Sequence, residues 1–207
     1  MEDIIQELRE SAELKLQLAS TQASMIQTMI DCIWDSMQQG GKLLLCGNGG
    51  SAADAQHLAT ECIVRLQHDR CPLPAIALTT DTSLLTAVGN DYGFDAIFAR
   101  QVEGLGCAGD VLLALSTSGN SPNVVLAVEE ARRQGLWTLG LLGKDGGALR
   151  EIVDMALVVP SSSTQRIQEA HITIGHILCG ALERRALDTP VAIHKGVSEK
   201  EHSLWKH

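Results

Sequence analysis

The 207-residue sequence predicts an α/β fold in which α-helices cover both faces of a mostly parallel β-sheet. Two observations favour this class. Between residues 42 and 187, short unbroken apolar runs alternate with longer segments of helical periodicity, and unbroken runs are typical of strands buried on both faces. Two of these runs also end in glycine- and serine-rich loops that lead directly into helices. Ligands of open α/β sheets bind at such loops.

The chain begins with a segment that contains no glycine or proline between residues 3 and 38. Apolar residues recur there at steps of three and four, as in an amphipathic helix. They include Met25, Met29, Ile30, Ile33 and Met37. The pattern predicts two helices or one long kinked helix. This extension either packs against a partner subunit or covers the chain's own sheet.

The alternation that follows defines the predicted sheet and its helices. Five apolar runs are predicted strands: 42–46, 74–78, 111–116, 137–143 and 155–160. Six further segments are predicted helices: 51–66, 80–89, 95–106, 121–135, 147–153 and 164–187. Such connections give a doubly wound, flavodoxin-like sheet with an N-terminal helical extension. We expect residues 1–188 to form one domain and residues 189–207, where the periodicity ends, to form a surface tail.

Composition and charge exclude several classes of function. Hydrophobic residues make up 45% of the chain and charged residues 20%, which is typical of a globular protein. A net charge of −9 and the absence of a lysine- or arginine-rich block argue against nucleic-acid binding. No apolar run approaches the roughly 18 residues that a membrane span requires. The six cysteines form no CxxC pair, so we expect reduced, buried thiols and a cytoplasmic protein.

The loop from Ser116 to Ser121, with the sequence STSGNS, places four hydroxyl groups within six residues. They belong to Ser116, Thr117, Ser118 and Ser121. Ser121 is the predicted N-cap of the following helix, with Pro122 at the first helical position. The unpaired amides and partial positive charge of a helix N-terminus can hold a phosphate without a lysine. This loop is the predicted phosphate site, although capping by Ser121 and a turn at Gly119 would also explain it.

The loop from Cys46 to Ser51, with the sequence CGNGGS, has a different character. Asn48, Gly49 and Gly50 reduce side-chain bulk, so a ligand can approach the backbone closely. The segment contains neither GxxxxGK[ST] nor the order GxGxxG, which excludes a P-loop and a dinucleotide-binding motif. A purely structural turn between a strand and a helix is the alternative interpretation.

Two predicted helices carry side chains that can ligate a metal ion. His57 and Glu61 are four residues apart and therefore project from one face of their helix. Gln168 and His176 are eight residues apart, about 80° around the axis of the last helix. Together these groups suit a borderline metal such as zinc, whereas a surface ion pair would explain the first two alone. Spacing does not exclude two other residues of the last helix: Glu169 and His171.

Several segments together resemble the SIS (sugar isomerase) domain, and within that class the bacterial phosphoheptose isomerases. They are LLLCGNGGSAADAQHLATE, PAIALTTD, VGNDYGFDAIFARQVE, GDVLLALSTSGNSPNVV, LLGKDGG and RIQEAHITIGH. The similarity extends from the N-terminal helix to about Leu187. It implies the conversion of sedoheptulose 7-phosphate to D-glycero-D-manno-heptose 7-phosphate, the entry into nucleotide-activated heptose synthesis. It also implies a homotetramer with sites near subunit interfaces.

The same resemblance implies roles for individual residues. One Zn²⁺ per subunit would be bound by four of them: His57, Glu61, Gln168 and His176. The proton-transfer pair would be Glu61 and His176. The sugar would be contacted by a larger set: Asn48, Gly49, Gly50, Glu61, Asn90, Asp91 and Gln168. The phosphate would be held by the hydroxyl-rich loop: Ser116, Thr117, Ser118 and Ser121.

A non-catalytic branch of the family, whose members bind the replication initiator DnaA, is the main alternative. The segments PAIALTTD and AGDVLLALST also resemble that branch. Its members lack the carboxylate and the final histidine of the site, whereas this chain keeps Glu61 and His176, which favours the enzyme. An isomerase of another sugar phosphate, such as an amino or acetylated hexose, stays open. Gln165 stands where some relatives carry an aspartate, so contacts of that aspartate stay open too.

Overall fold

The structure is a computed structural model that describes residues 1–191, so most of the predicted tail, residues 192–207, lies outside the described residues. The helices are α1 (Glu2–Thr21), α2 (Ala23–Gln38), α3 (Gly50–Ile63), α4 (Thr82–Asp91), α5 (Ala99–Leu105), α6 (Pro122–Arg133), α7 (Leu149–Ile152) and α8 (Thr164–Asp188). The strands are β1 (Leu43–Gly47), β2 (Ala75–Ala77), β3 (Val111–Ser116), β4 (Trp137–Gly143) and β5 (Met155–Val159). Each predicted strand and helix is thus represented.

The five strands form one parallel sheet in the order β2-β1-β3-β4-β5. This is the flavodoxin-like order, which confirms the fold predicted from the alternation of strands and helices. Leu43 of β1 pairs with Ala75 of β2 on one side and with Val111 of β3 on the other. The order in which successive strands are added to the sheet reverses between β1 and β3, so the loops that follow these two strands flank the topological switch point.

Two hydrophobic clusters fill the two sides of the sheet. Leu43 and Leu45 face a cluster that includes buried residues of α2, α3 and α8. Leu44 and Cys46, the alternate residues of the same strand, face a cluster that includes buried residues of α5 and α6. Because successive side chains of a strand point to opposite faces, both faces must be apolar. This explains why the strands appear in the sequence as unbroken apolar runs.

The N-terminal extension forms two helices, with the break at Gln22. The second helix, α2, contacts β3, β5 and α8 and buries Met29, Ile33 and Met37, so it covers the chain's own sheet. The first helix, α1, contacts α2 and α8. Most of its surface is exposed, and Ile4 and Leu8 are 65% and 68% accessible. The extension therefore covers the chain's own sheet through α2, and packing of α1 against a partner subunit stays a prediction.

Two predicted helices differ most from the observed ones. The segment 95–106 is divided into a 3₁₀ turn, Phe94–Ala96, and the helix α5. Ile97 and Phe98 lie between them and are both buried, whereas adjacent residues of one α-helix project about 100° apart. The helix predicted to end at residue 66 ends at Ile63. The backbone carbonyl groups of its last turn accept hydrogen bonds from groups outside the helix, not from the amides of a further helical turn.

The six cysteines are free thiols, and Cys46, Cys62 and Cys179 are buried as predicted, whereas Cys32 and Cys71 are half-buried and Cys107 is exposed. The sulfur atoms of Cys62 on α3 and Cys179 on α8 are 3.9 Å apart, which shows how closely these two helices pack. Among residues 1–191, no helix combines the length and the apolar character that crossing a bilayer requires.

Candidate active site

The two predicted ligand loops lie side by side, because they follow the adjacent parallel strands β1 and β3. A reciprocal pair of hydrogen bonds connects the first loop to the start of α6. Asn48 Nδ2 donates to Asn123 Oδ1, and Asn123 Nδ2 donates to Asn48 Oδ1, each at 2.8 Å. The sequence does not single out Asn123. Asn123 is a polar residue at a helix position that the fold buries, and the sequence pattern alone does not reveal this burial.

The first loop, residues 46–51, packs closely against α8. Gly49 has a φ of +56°, in the left-handed region that favours glycine. A Cβ atom added to Gly50 would lie 2.3 Å from Nε2 of Gln168. Glycine at this position therefore leaves space for the Gln168 side chain at the start of α3. The role of the loop in admitting a sugar stays a prediction.

The second loop, residues 116–121, satisfies some of its own amides through two of its four hydroxyl groups. Ser116 Oγ accepts a hydrogen bond from the Gly119 amide at 3.0 Å, and Ser118 Oγ accepts one from the Asn120 amide at 3.2 Å. Ser121 is the N-cap of α6 and Pro122 its first residue, as predicted. Within the described chain, however, the Ser121 side chain makes no capping hydrogen bond. Capping by its hydroxyl therefore does not account for Ser121.

A third loop, which follows β4, holds the second loop in place. Gly119 has a φ of +67°, and a Cβ atom added to it would lie 1.9 Å from the carbonyl oxygen of Gly146. The Leu149 amide donates to the Gly119 carbonyl at 3.0 Å, and the Ala148 amide donates to Asn120 Oδ1 at 2.9 Å. The backbone of the second loop is thus fixed by contacts on its far side.

Three predicted metal ligands converge from α3 and α8. His57 Nε2 lies 2.8 Å from His176 Nε2 and 3.4 Å from Glu61 Oε1. The candidate ligand atoms of these three residues all lie within 4.8 Å of one another. The side chain of His57 is 46% exposed and that of Glu61 is 16% exposed, so the group is open to solvent on one side. The structure therefore places a possible His/Glu/His metal-binding group here.

The spacing of these atoms fits a tetrahedral metal ion with modest adjustment. Zinc bonds of about 2.0–2.1 Å place neighbouring ligand atoms roughly 3.3 Å apart. The 3.4 Å between His57 Nε2 and Glu61 Oε1 matches this spacing. The 2.8 Å between the two imidazole nitrogens is the length of a hydrogen bond, so a metal would require the rings to separate slightly. Gln168 lies against Gly50, and its place among the ligands stays a prediction.

Asp54 adds an acidic group one helical turn before His57. Burial raises the pKa of the Asp54 carboxyl, while the nearby imidazoles of His57 and His176 act in the opposite direction. Its Oδ2 atom is buried and makes no hydrogen bond within the described chain. The sequence signal was available, because Asp54, His57 and Glu61 recur at helical spacing. The candidate ligands thus project from an acidic face of α3.

The two other candidates on α8 have different partners. His171 is buried and its Nε2 donates to the carbonyl oxygen of Leu142 at 3.1 Å. Burial lowers the pKa of His171 to about 4, so the ring is neutral near pH 7. Glu169 forms an ion pair with Arg166 at 3.1 Å, and Arg166 also binds Glu7 of α1. These contacts assign both residues to the architecture of α8.

The predicted sugar contacts Asn90 and Asp91 lie at the end of α4. Both are exposed, and Asn90 Nδ2 donates to Asp91 Oδ1 at 2.7 Å. Their described hydrogen bonds do not connect them with either loop or with the metal-binding group of the same chain. Their contact with the sugar stays a prediction.

The chain is similar to proteins of known family over most of its length. Residues 8–143 match the family model of the SIS domain. The phosphoheptose isomerase of Geobacter sulfurreducens is 55% identical over 185 residues, 89% of this chain and 98% of that protein. The phosphoheptose isomerase of a Nitratiruptor species is 60% identical over 154 residues, 74% of this chain and 82% of that protein.

Solved structures give the same result. The phosphoheptose isomerase of Francisella tularensis matches with a TM-score of 0.86 at 40% identity and covers 88% of this chain and 97% of its own. The phosphoheptose isomerase of Neisseria gonorrhoeae matches with a TM-score of 0.83 at 42% identity, with coverages of 88% and 98%. The resemblance predicted from the motifs is confirmed by these matches, which cover 74–89% of this chain. The chain belongs to the phosphoheptose isomerase family of SIS-domain proteins.

Proposed function

We propose that this protein converts sedoheptulose 7-phosphate to D-glycero-D-manno-heptose 7-phosphate, at the entry into nucleotide-activated heptose synthesis. The observation that carries the proposal is the convergence of Glu61 on α3 with His57 and His176. A carboxylate and an imidazole from two different helices provide the two proton-transfer groups that a ketose–aldose exchange needs. Family membership supplies the substrate class, since the relatives are named phosphoheptose isomerases.

The reaction moves one hydrogen from carbon 1 to carbon 2 and one proton between the attached oxygens. We assign the carbon-bound proton to Glu61, which removes it from carbon 1 to give a cis-enediol and returns it to carbon 2. His176 takes the proton from the oxygen of carbon 1 and delivers one to the oxygen of carbon 2. A carboxylate performs such a task near neutral pH when its surroundings tune its pKa.

We further propose one zinc ion per subunit, held by His57, Glu61, Gln168 and His176. The support is the donor chemistry, because two imidazoles, a carboxylate and an amide oxygen suit a borderline metal. When bound, zinc supplies Lewis-acid polarisation of the substrate carbonyl. The side chain of His57 is 46% exposed, and we assign it metal binding alone.

The second loop is the proposed phosphate holder, through Ser116, Thr117, Ser118 and Ser121. The support is the unused Ser121 hydroxyl at the N-terminus of α6, where the helix carries a partial positive charge. Phosphate binding there would anchor the far end of the substrate and orient its reacting carbons.

The sugar between these two ends would be contacted by the first loop and by the end of α4. The proposed residues are Asn48, Gly49, Gly50, Asn90 and Asp91, with Glu61 and Gln168. Asn48 is already oriented by Asn123, and each of the two amides keeps a second N–H and a second lone pair that can face a hydroxyl.

We also propose a cytoplasmic homotetramer of chains whose residues 1–188 form one domain. The exposed apolar residues of α1, which include Ile4, Leu8 and Leu16, provide surface for contacts between subunits. With a net charge of −9, the assembly would take a small sugar phosphate and no nucleic acid.

The decisive experiment is a coupled assay on sedoheptulose 7-phosphate, with native protein, chelator-treated protein and chelator-treated protein given Zn²⁺. We expect turnover, its loss with chelator and its recovery with zinc. Turnover that is indifferent to both treatments would refute the metal. Absence of turnover on any ketose phosphate, together with capture of DnaA, would establish the non-catalytic alternative.

A further inference from the structure

Arg70 reaches back from the segment after α3 to the end of that helix. Its Nη2 donates to the carbonyl oxygen of Glu61 at 2.7 Å, and its Nη1 donates to the carbonyl oxygens of Cys62 at 2.6 Å and Cys71 at 3.1 Å. The guanidinium side chain is only 2% exposed. A cation at this point satisfies last-turn carbonyls that have no helical partner and balances the negative end of the helix dipole.

Glu183 of α8 holds the same segment from the other side. Its carboxylate accepts hydrogen bonds from the amides of Leu66, Gln67 and His68 at 2.8–3.0 Å. Burial alone would raise the pKa of Glu183, but these three amides and the positive charge of Arg70 lower it. The carboxylate is therefore charged, and its Oε2 lies 3.8 Å from Arg70 Nε in a buried ion pair.

This pair connects the two helices that carry the candidate metal ligands. On α8, Glu183 lies seven residues after His176, about 10 Å along the axis and on nearly the same face. On α3, Arg70 binds the backbone of Glu61 itself. The amide of Leu66, which a continued helix would direct to the Cys62 carbonyl, instead donates to Glu183, beyond the end of α3 at Ile63. One buried network thus spans from the carbonyl of Glu61 to the helix of His176.

We propose that Arg70 and Glu183 are positioning residues that set the last turn of α3, and with it Glu61, relative to His176 on α8. The inference rests on the proposed function of this site. A buried charge pair fixes orientation because each partner needs the other, and an unpaired buried charge is strongly unfavourable. A guanidinium suits the task, since its planar fork binds two carbonyl groups from two nitrogen atoms at once.

The test compares Arg70→Gln, Arg70→Lys and Glu183→Gln with the native protein. The first readout is the zinc dissociation constant of the folded protein, measured by competition with a chromophoric chelator. The second is kcat and KM for sedoheptulose 7-phosphate at saturating zinc. We expect Arg70→Gln to weaken zinc binding about 10–100-fold and to lower kcat more than it raises KM, as for residues that support metal ligands. Arg70→Lys keeps the charge and the fold, and we expect an intermediate effect.

Asp110→Asn is the matched control, because Asp110 is another buried carboxylate that organises a loop. It accepts hydrogen bonds from the Lys42 and Cys107 amides and pairs with Lys42 Nζ at 2.6 Å. It precedes β3, at the amino ends of the parallel strands, whereas the ligand loops follow the carboxyl ends. We expect this variant to lose thermal stability while zinc affinity stays within about twofold of the native value.

Two results separate the positioning proposal from the proposed function. Native zinc affinity in Arg70→Lys and Glu183→Gln, with only a lower melting temperature, would overturn the positioning role. Zinc binding without turnover in the native protein would refute the proposed reaction, while the zinc affinities of the variants would still decide the positioning role. Native protein that binds no zinc would refute the proposed metal, and native kcat in the Arg70 and Glu183 variants would then overturn the positioning role.

Discussion

The two loops at the switch point have similar sequences and different surroundings. Both follow a central parallel strand, both contain glycine with a positive φ, and both lead into a helix. The first loop lies against the side chain of Gln168, so its neighbour is a candidate metal ligand. The second lies against the backbone of Gly146, so its neighbour is another loop. A glycine-rich turn therefore acquires its role from the element packed against it.

The difference also separates the two ends of the proposed substrate. The first loop begins α3, which carries His57 and Glu61 two to three turns later. The second loop begins α6, whose N-terminus offers an unused Ser121 hydroxyl. Changes near the first loop should therefore affect metal binding and turnover. Changes in the second loop should affect substrate affinity.

The largest expected effect is at the proton-transfer pair. Glu61→Gln and His176→Gln should each lower kcat about 10²–10⁴-fold, because each removes a group that exchanges a proton with the substrate. The measurement is turnover at saturating zinc and substrate, with the melting temperature as a check of folding. Glu169→Gln, on the same helix as His176, is the control and should retain kcat. Near-native turnover in either Glu61→Gln or His176→Gln would refute the assignment.

A second expected effect concerns the pH dependence of stability, which we attribute to the buried His171 of α8. His171 has a folded-state pKa of about 4 and an ordinary value of 6.5, so the unfolded chain binds the extra proton between these values. Stability should fall as pH decreases from 6.5 to 4, with a contribution from this residue of about 3 kcal/mol, and should be unaffected above 6.5.

The check is chemical unfolding of metal-free protein at several pH values, native against His171→Gln. The glutamine variant keeps a donor for the Leu142 carbonyl and should show a shallower decrease over this range. Equal slopes for the two proteins would show that His171 does not contribute.

A third prediction tests the neighbour of the first loop. Gly50→Ala places a methyl group on the Gln168 amide and should displace it, lowering zinc affinity about tenfold. Chelator competition measures the change. Gly104→Ala is the control, since the added methyl group meets no atom within 4 Å there, and zinc affinity should be retained. Unchanged affinity in Gly50→Ala would remove Gln168 from the ligand set.

The smallest expected effect distinguishes binding from capping at the second loop. Ser121→Ala should raise KM about tenfold, through loss of a hydrogen bond to a charged group, with little change in stability. Ser163 is also an N-cap, and its hydroxyl does accept from the Arg166 amide. Ser163→Ala should therefore lower stability by about 1 kcal/mol and leave KM unchanged. The reverse pattern would assign Ser121 to capping alone.

The sequence predicts the fold well because the decisive signals are local. Unbroken apolar strands and the helices between them indicate a parallel sheet with both faces covered, and the observed strand order confirms it. The N-cap position of Ser121 and Pro122 is equally local. The convergence of His57 with His176 depends on residues 119 positions apart, and helix spacing alone leaves it open.

Other features depend on tertiary contacts that the sequence does not reveal. Asn123 is significant because it meets Asn48, 75 residues away. His171 and His176 are both histidines of one helix, and the position of β4 decides which of them is buried. Arg70 lies in a polar segment that resembles an ordinary loop, although its side chain donates hydrogen bonds to the last-turn carbonyls of α3. In each case the missing information is the identity of the neighbour.

The amide pair between Asn48 and Asn123 has a consequence for the range of conditions in which the protein works. Both partners are neutral, so the pair neither titrates nor weakens through ionic screening. It connects the loop proposed for the sugar with the helix proposed for the phosphate. The distance between the sugar-binding loop and the phosphate-binding helix should therefore stay constant as salt concentration and pH change, even where nearby charged groups respond to these changes.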